Sequence, residues 1–186
     1  VDDLGQHVER TCSHCGRSGQ GQINGYCQAC GNPDSISSVQ ILRQFLSQGD
    51  VDELLQFAEQ HCFDPGRQGT GYTKTPIPPT HFQALRQDAL RWLGVPQDTA
   101  HDCYLVKYET GSCIPLHRDD APMAQEHHRL NAMVQMPLEG GELWVSGQPV
   151  SLNTRDCYLF RPDLDEHEVE KVLAGTRLIF TVGVLR

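Results

Sequence analysis

The chain has 186 residues, 38% hydrophobic and 21% charged, the make-up of a globular domain with at most a small appendage rather than of a disordered or fibrous chain. Fifteen Lys plus Arg against 24 Asp plus Glu give a formal charge of −9. This argues against nucleic acid as partner, since phosphate contacts supply most of the affinity of such binders. No stretch nears the ~18 apolar residues of a membrane span, and no basic-then-apolar leader opens the chain.

In chain order, the first signal is Cys12-x-x-Cys15 and Cys27-x-x-Cys30, each pair followed by a glycine, Gly16 and Gly31. Zn(II) takes thiolates in a tetrahedron, and a C-x-x-C turn sets two sulfurs on one side of the ion. Residues 11–34 hold few apolar side chains, so metal binding would supply the folding free energy that a core cannot. Two disulfides, a redox pair, or iron in place of zinc share this spacing, and His14 is a further candidate ligand. Four thiolates leave no open position, so the ion is expected to be structural. Tight pairs rather than spread cysteines point to a reducing compartment, the cytoplasm. Turn residues Gly31 to Ser35 mark a boundary. The expected division is a zinc ribbon over 1–34 and a main domain over 35–186, with helical support over 35–100 and a core over 101–186. The ribbon is the candidate docking site for a protein partner.

Residues 36–94 read as helices. Val39, Leu42, Phe45 and Leu46 recur at a spacing of three to four and end near Gly49. A second helix begins at Asp50 with Glu53 as its capping-box partner, and a third begins near Thr80 and stops at Gly94 and Pro96. The Gly- and Pro-rich stretch 64–79 is expected to be a long loop, with 66–75 a candidate lid. From His101 the period changes to two. Strands are expected near 102–109, 113–119, 130–136, 142–147, 156–161, 167–173 and 177–184, separated by turn residues. Helices first and strands after make an α+β layout, a sandwich or barrel with helices over one sheet.

His117 and Asp119 are two apart on an expected strand, so they share a face. His167 opens a later strand. Two histidines and a carboxylate can form the facial triad of non-haem Fe(II) sites, but the pair alone is common by chance. Arg177 lies on the last strand, on the face opposite Leu178, Phe180, Val182 and Val184. If that face is interior, the guanidinium needs an anion there; if it is exposed, Arg177 is merely solvated. Periodicity leaves both open.

Tyr108-x-x-Gly111, His117-x-Asp119, Gly140-Gly141-Glu142-Leu143 and His167-x-Val169-x-x-Val172-x-x-Gly175-x-Arg177 stand in this order over roughly 101–184. Together they resemble the 2-oxoglutarate- and Fe(II)-dependent oxygenases, specifically the prolyl-4-hydroxylase-like branch. The resemblance implies a double-stranded β-helix, or jelly roll, braced by the preceding helices. It implies Fe(II) ligation by His117, Asp119 and His167, the distal carboxylate of 2-oxoglutarate on Arg177, and a hydroxyl hydrogen bond to that co-substrate from Tyr108. It implies O₂-dependent hydroxylation of a C–H bond, with release of succinate and CO₂, on a peptidyl or free amino acid or another small metabolite. Asp119 in the ligand set favours hydroxylation over halogenation. Around Asn131 to Met136 the chain lacks the tyrosine or threonine many relatives place near the co-substrate, so a second hydrogen bond to it has no assigned donor. The rival readings are a nucleic-acid demethylase of the same superfamily and a non-catalytic, metal-holding interaction protein. The spacing from His167 to Arg177 suits the prolyl-hydroxylase-like branch better than the repair branch.

Overall fold

Strands dominate the computed structural model, which describes residues 8–12, 18–19, 36–122 and 125–186. The first part of the chain forms β1 (Val8–Cys12), β2 (Ser18–Gly19), β3 (Ile36–Leu42), α1 (Gln48–Gln60), β4 (Asp64–Pro65), β5 (Thr73–Pro76) and α2 (Gln83–Trp92). Next come β6 (His101–Tyr108), β7 (Ile114–His117), β8 (His127–Gln135), β9 (Glu139–Gly140), β10 (Leu143–Val145) and β11 (Gln148–Val150). The chain closes with β12 (Cys157–Phe160), β13 (His167–Val169), β14 (Val172–Ala174) and β15 (Arg177–Leu185). No helix among the described residues is long and apolar enough to cross a membrane.

Among the described residues, nine strands form one sheet in the order β2-β1-β3-β12-β8-β15-β6-β5-β4, four form a second in the order β11-β10-β13-β7, and β14 pairs with β9. From β6 onward the chain passes back and forth between the two large sheets. This is the winding of a jelly roll.

The alternation of β15 shows how the layers are sealed. Leu178, Phe180, Val182 and Val184 pack with Val51, Leu54 and Phe57 of α1 and Leu85, Ala89 and Leu90 of α2. The two helices therefore cover the outer face of the large sheet. Ile179, on the other face, packs with Val39, Tyr108, Met133, Tyr158 and Phe160 and with Leu143, Val145 and Val169 of the small sheet. Arg177 shares that inner face and is 1% exposed, which settles the choice the periodicity left open.

Three local expectations are corrected. Residues 36–42 are a strand, not a helix: β3 lies between β1 and β12, and its Val39 and Ile41 are buried. A spacing of three to four over so short a run does not separate helix from strand, and β-branched residues favour the latter. Helix α1 starts earlier than Asp50; Ser47 is its N-cap, and Asp50 completes the capping box from the third helical position. The stretch 64–79 is largely a hairpin, with β5 paired to β6. It is tied down by Cys113 N–H donating to Thr70 O and by Ser112 Oγ donating to Gly71 O, both at 2.9 Å.

Of the expected zinc ligands, Cys12 ends β1, which pairs with β2 and β3 in the large sheet. Cys15, Cys27 and Cys30 lie outside the described residues.

Candidate active site

The two candidate metal-ligating histidines come from the small sheet. β7 and β13 are antiparallel neighbours, and His117 is the direct partner of His167 in their register. Their rings lie 4.2 Å apart. Asp119 falls just past the end of β7 and is anchored by its N–H, which donates to Pro162 O at 2.8 Å. The candidate ligand atoms of His117, Asp119 and His167 all lie within 4.8 Å of one another.

Hydrogen bonding prepares both imidazoles for a metal. His117 Nδ1 contacts Pro115 O and His167 Nδ1 contacts Asp165 O, each at 2.9 Å. A carbonyl can only accept, so each Nδ1 carries the proton and each Nε2 presents its lone pair. Burial holds the His167 imidazole below its ordinary pKa, which keeps it neutral and able to ligate. Phe160 packs edge-on against the His167 ring, centroids 5.0 Å apart, and walls the site on the side of the large sheet. His117 Nε2 already stands 3.3 Å from Asp119 Oδ1. Two imidazoles and a carboxylate grouped this way suit Fe(II) and leave its other positions to small ligands.

Arg177 lies deeper between the sheets. Its register partner on β6 is Tyr108, and its guanidinium carbon sits 5.0 Å from the centre of the Tyr108 ring. Nε and Nη2 of Arg177 are buried and have no hydrogen-bond partner. A buried guanidinium left in this state calls for an anion. Space exists beside it: a cavity of about 180 Å³ is lined by Arg177, Met133, Gly141, Leu143 and Leu152 among others. The Gly140-Gly141 turn borders this cavity; both glycines have positive φ, and a Cβ on Gly141 would stand 3.0 Å from Val172 Cγ2 and 3.2 Å from Pro137 Cγ. Tyr108 is buried, and burial raises its phenol above the ordinary pKa, so it keeps a hydroxyl to donate. Tyr72, from the hairpin between β4 and β5, packs on Tyr108 with ring centroids 5.5 Å apart. The stretch expected as a lid thus packs at the Arg177 end of the roll.

Every side chain expected at the iron and co-substrate site is therefore on the inner side of the roll. Arg129, which belongs to none of the motifs, joins this site. β8 begins at His127 and sets Arg129 on the inner face, in step with Asn131 and Met133. Arg129 Nη1 lies 3.3 Å from Asp119 Oδ2, and Arg129 Nη2 lies 3.1 Å from His127 Nε2. Burial, with help from Arg129, holds the His127 imidazole below its ordinary pKa. The alternation of Arg129, Asn131 and Met133 was the available signal.

No protein-family model and no curated protein sequence matches the chain. Solved structures do. A prolyl-4-hydroxylase from Pseudomonas putida is 18% identical, with 81% of this chain and 92% of that one aligned at a TM-score of 0.64. HygX from Streptomyces hygroscopicus, solved with nickel and 2-oxoglutarate bound, is 14% identical over 79% of this chain and 82% of its own, at a TM-score of 0.62. A Trichoplax adhaerens prolyl hydroxylase, solved with a hypoxia inducible factor oxygen degradation domain peptide fragment, is 18% identical over 79% of this chain and 82% of its own, at a TM-score of 0.61. What the chain has in common with these proteins is the jelly-roll fold.

Proposed function

We propose that this chain is an Fe(II)- and 2-oxoglutarate-dependent dioxygenase that hydroxylates a C–H bond of a peptidyl or free amino acid or another small metabolite. The observation that carries the reading is Arg177, a guanidinium buried inside the roll with two nitrogens unpartnered, on the same inner surface as the His117, Asp119 and His167 cluster. The fold likeness to a prolyl-4-hydroxylase, and to a protein solved with nickel and 2-oxoglutarate, supports it.

His117, Asp119 and His167 would hold Fe(II). Arg177 would take the distal carboxylate of 2-oxoglutarate in a charge-assisted contact, with the Tyr108 hydroxyl as a second donor. Fe(II) and 2-oxoglutarate, when bound, would supply hydroxylation by O₂ coupled to oxidative decarboxylation of the co-substrate to succinate and CO₂. The protein's own part is to fix the two imidazoles in one tautomer through Pro115 O and Asp165 O, to orient the co-substrate from Arg177, and to wall the chamber against water with Phe160, Met133 and Leu143.

The N-terminal part of the proposal rests on the sequence. Residues 1–34 would form a zinc ribbon on Cys12, Cys15, Cys27 and Cys30, open to a protein partner, ahead of an oxygenase domain over 35–186. Cysteines kept reduced for zinc in this way fit a reducing compartment such as the cytoplasm. Zinc analysis of the purified chain, with and without Cys27→Ser, tests this: one zinc per chain, lost in the variant, is expected.

The test of the activity is succinate formation with Fe(II), 2-oxoglutarate and O₂. Turnover that requires all three is expected, uncoupled if no substrate is present. Iron binding with no affinity for 2-oxoglutarate would favour a metal-holding interaction protein instead.

A further inference from the structure

Three neighbouring strands bring polar side chains together on the inner face, next to the metal ligands. Arg129 on β8 and Asp102 on β6 are both register partners of Gly183 on β15, one from each side. A Cβ at Gly183 would stand 2.5 Å from Asp102 Oδ1. Absence of a side chain there lets the carboxylate and the guanidinium reach across β15 toward each other. Their closest approach, Arg129 Nη2 to Asp102 Oδ2, is 3.8 Å, longer than a hydrogen bond. Thr181, two positions back on the same face of β15, is 5% exposed. Arg129 Nε, Asp102 Oδ1 and Thr181 Oγ1 are all buried without a hydrogen-bond partner.

These atoms have no part in holding the co-substrate from Arg177, which lies at the opposite end of β15. A donor, an acceptor and a hydroxyl left open in one place cost folding free energy, which a ligand with complementary groups offsets. Charge narrows the ligand. An anion alone meets Asp102, a cation alone meets Arg129, and a neutral amide gives neither the unpartnered Arg129 Nε nor the unpartnered Asp102 Oδ1 a charged partner. A small zwitterion matches both: its carboxylate on Arg129 and its ammonium on Asp102, with the Thr181 hydroxyl two positions along the same face of β15. Arg129 also touches Asp119, so a molecule held here sits beside the metal position.

We infer that Arg129, Asp102 and Thr181 bind the α-carboxylate and α-ammonium of a free amino acid, leaving its side chain for the metal centre. Among the substrates of the proposed function this selects the free amino acid over the peptide. The inference rests on that function for the fate of the bound molecule, not for the binding itself.

Calorimetric or ligand-observed NMR titration tests it, on the full chain with Mn(II) and 2-oxoglutarate present. Free amino acids are compared with their N-acetyl, C-amide forms and with short peptides. At least one free amino acid is expected to bind, its capped form at least tenfold more weakly. Asp102→Asn and Thr181→Val, which differ little in shape from the residues they replace, are each expected to weaken that binding, Asp102→Asn by tenfold or more. Equal binding of capped and free forms, no binding of any free amino acid, or an unchanged affinity in both variants overturns the inference. Succinate formation in the same samples separates the two claims. Amino-acid binding without succinate keeps the receptor and rejects the reaction. Succinate driven by peptides alone keeps the reaction and rejects the receptor.

Discussion

Replacing Arg177 by Met separates the chemistry of the site from the stability of the fold. Arg177 is 1% exposed, and its Nε and Nη2 have no hydrogen-bond partner. Met fills much of the same volume without a charge. Its substitution gives up the stacking of the guanidinium on Tyr108, worth roughly 0.5–2 kcal/mol, and removes an uncompensated buried charge, which costs several kcal/mol. The melting temperature of the co-substrate-free chain should therefore not fall. Binding should collapse. Two hydrogen bonds to a charged group at roughly 1.5–3 kcal/mol each amount to about 3–6 kcal/mol, or some two to four decades in Kd. The assay is thermal unfolding with and without 2-oxoglutarate, in the presence of Mn(II). At 100 times the wild-type Kd, linkage adds about 2.7 kcal/mol, a rise of roughly 5–11 °C for a domain of this size. Arg177→Met should rise by no more than about 1–2 °C under the same conditions. A variant that keeps the full rise, or one that melts well below the wild type without ligand, would refute the assignment of Arg177 as a receptor waiting for an anion.

Other outcomes follow from the same geometry. Asp119→Ala removes the carboxylate from the cluster and should abolish both iron retention, read by metal analysis, and iron-dependent succinate formation. Tyr108→Phe keeps the packing against Tyr72 and Arg177 but deletes one hydroxyl; the KM for 2-oxoglutarate should rise several-fold, in keeping with about 1 kcal/mol for a hydrogen bond, with little change in melting temperature. Asp156 is expected to set part of the acid limb of stability. Burial alone would raise its carboxyl, but Arg43, at 2.7 Å, and the Gln44 and Asn153 N–H groups hold it below the ordinary carboxylate range. A folded pKa below the unfolded value of about 3.9 stabilises the chain above that pH, and the contribution disappears as pH falls through the folded value. Asp156→Asn should thus lower the urea midpoint at pH 7, and the gap to wild type should narrow once pH falls below the unfolded value and close as it passes the folded one.

The strands of the roll were legible because their two faces meet different surroundings. In β15, Leu178 to Val184 face the helices at every second position while Ile179 faces the small sheet, and a period of two survives. The site was legible for another reason: its residues form a spaced motif, whereas the inner or outer sense of Arg177 needed the sheet itself. The failures lie where local pattern and tertiary pairing disagree. Val39 and Leu42 of β3, with Leu46 beyond its end, imitate a helical stripe because the strand is buried on both faces and then turns, with Leu42 packing under the helices and Val39 between the sheets. The hairpin of β4 and β5 is hidden by its prolines and glycines, and only β6 makes it a sheet edge. Arg129 was obscured by its neighbours: the run of Glu126, His127 and His128 is polar enough for an exposed turn, yet His127 is 8% exposed and β8 has already begun.

The decisive experiment is a structure of the chain with Mn(II) and 2-oxoglutarate. One ion ligated by His117 Nε2, Asp119 and His167 Nε2 is expected, with a carboxylate of the co-substrate on the Nε and Nη2 edge of Arg177. An ion bound elsewhere, or an Arg177 whose nitrogens remain unpartnered with the ion in place, would overturn the proposed function.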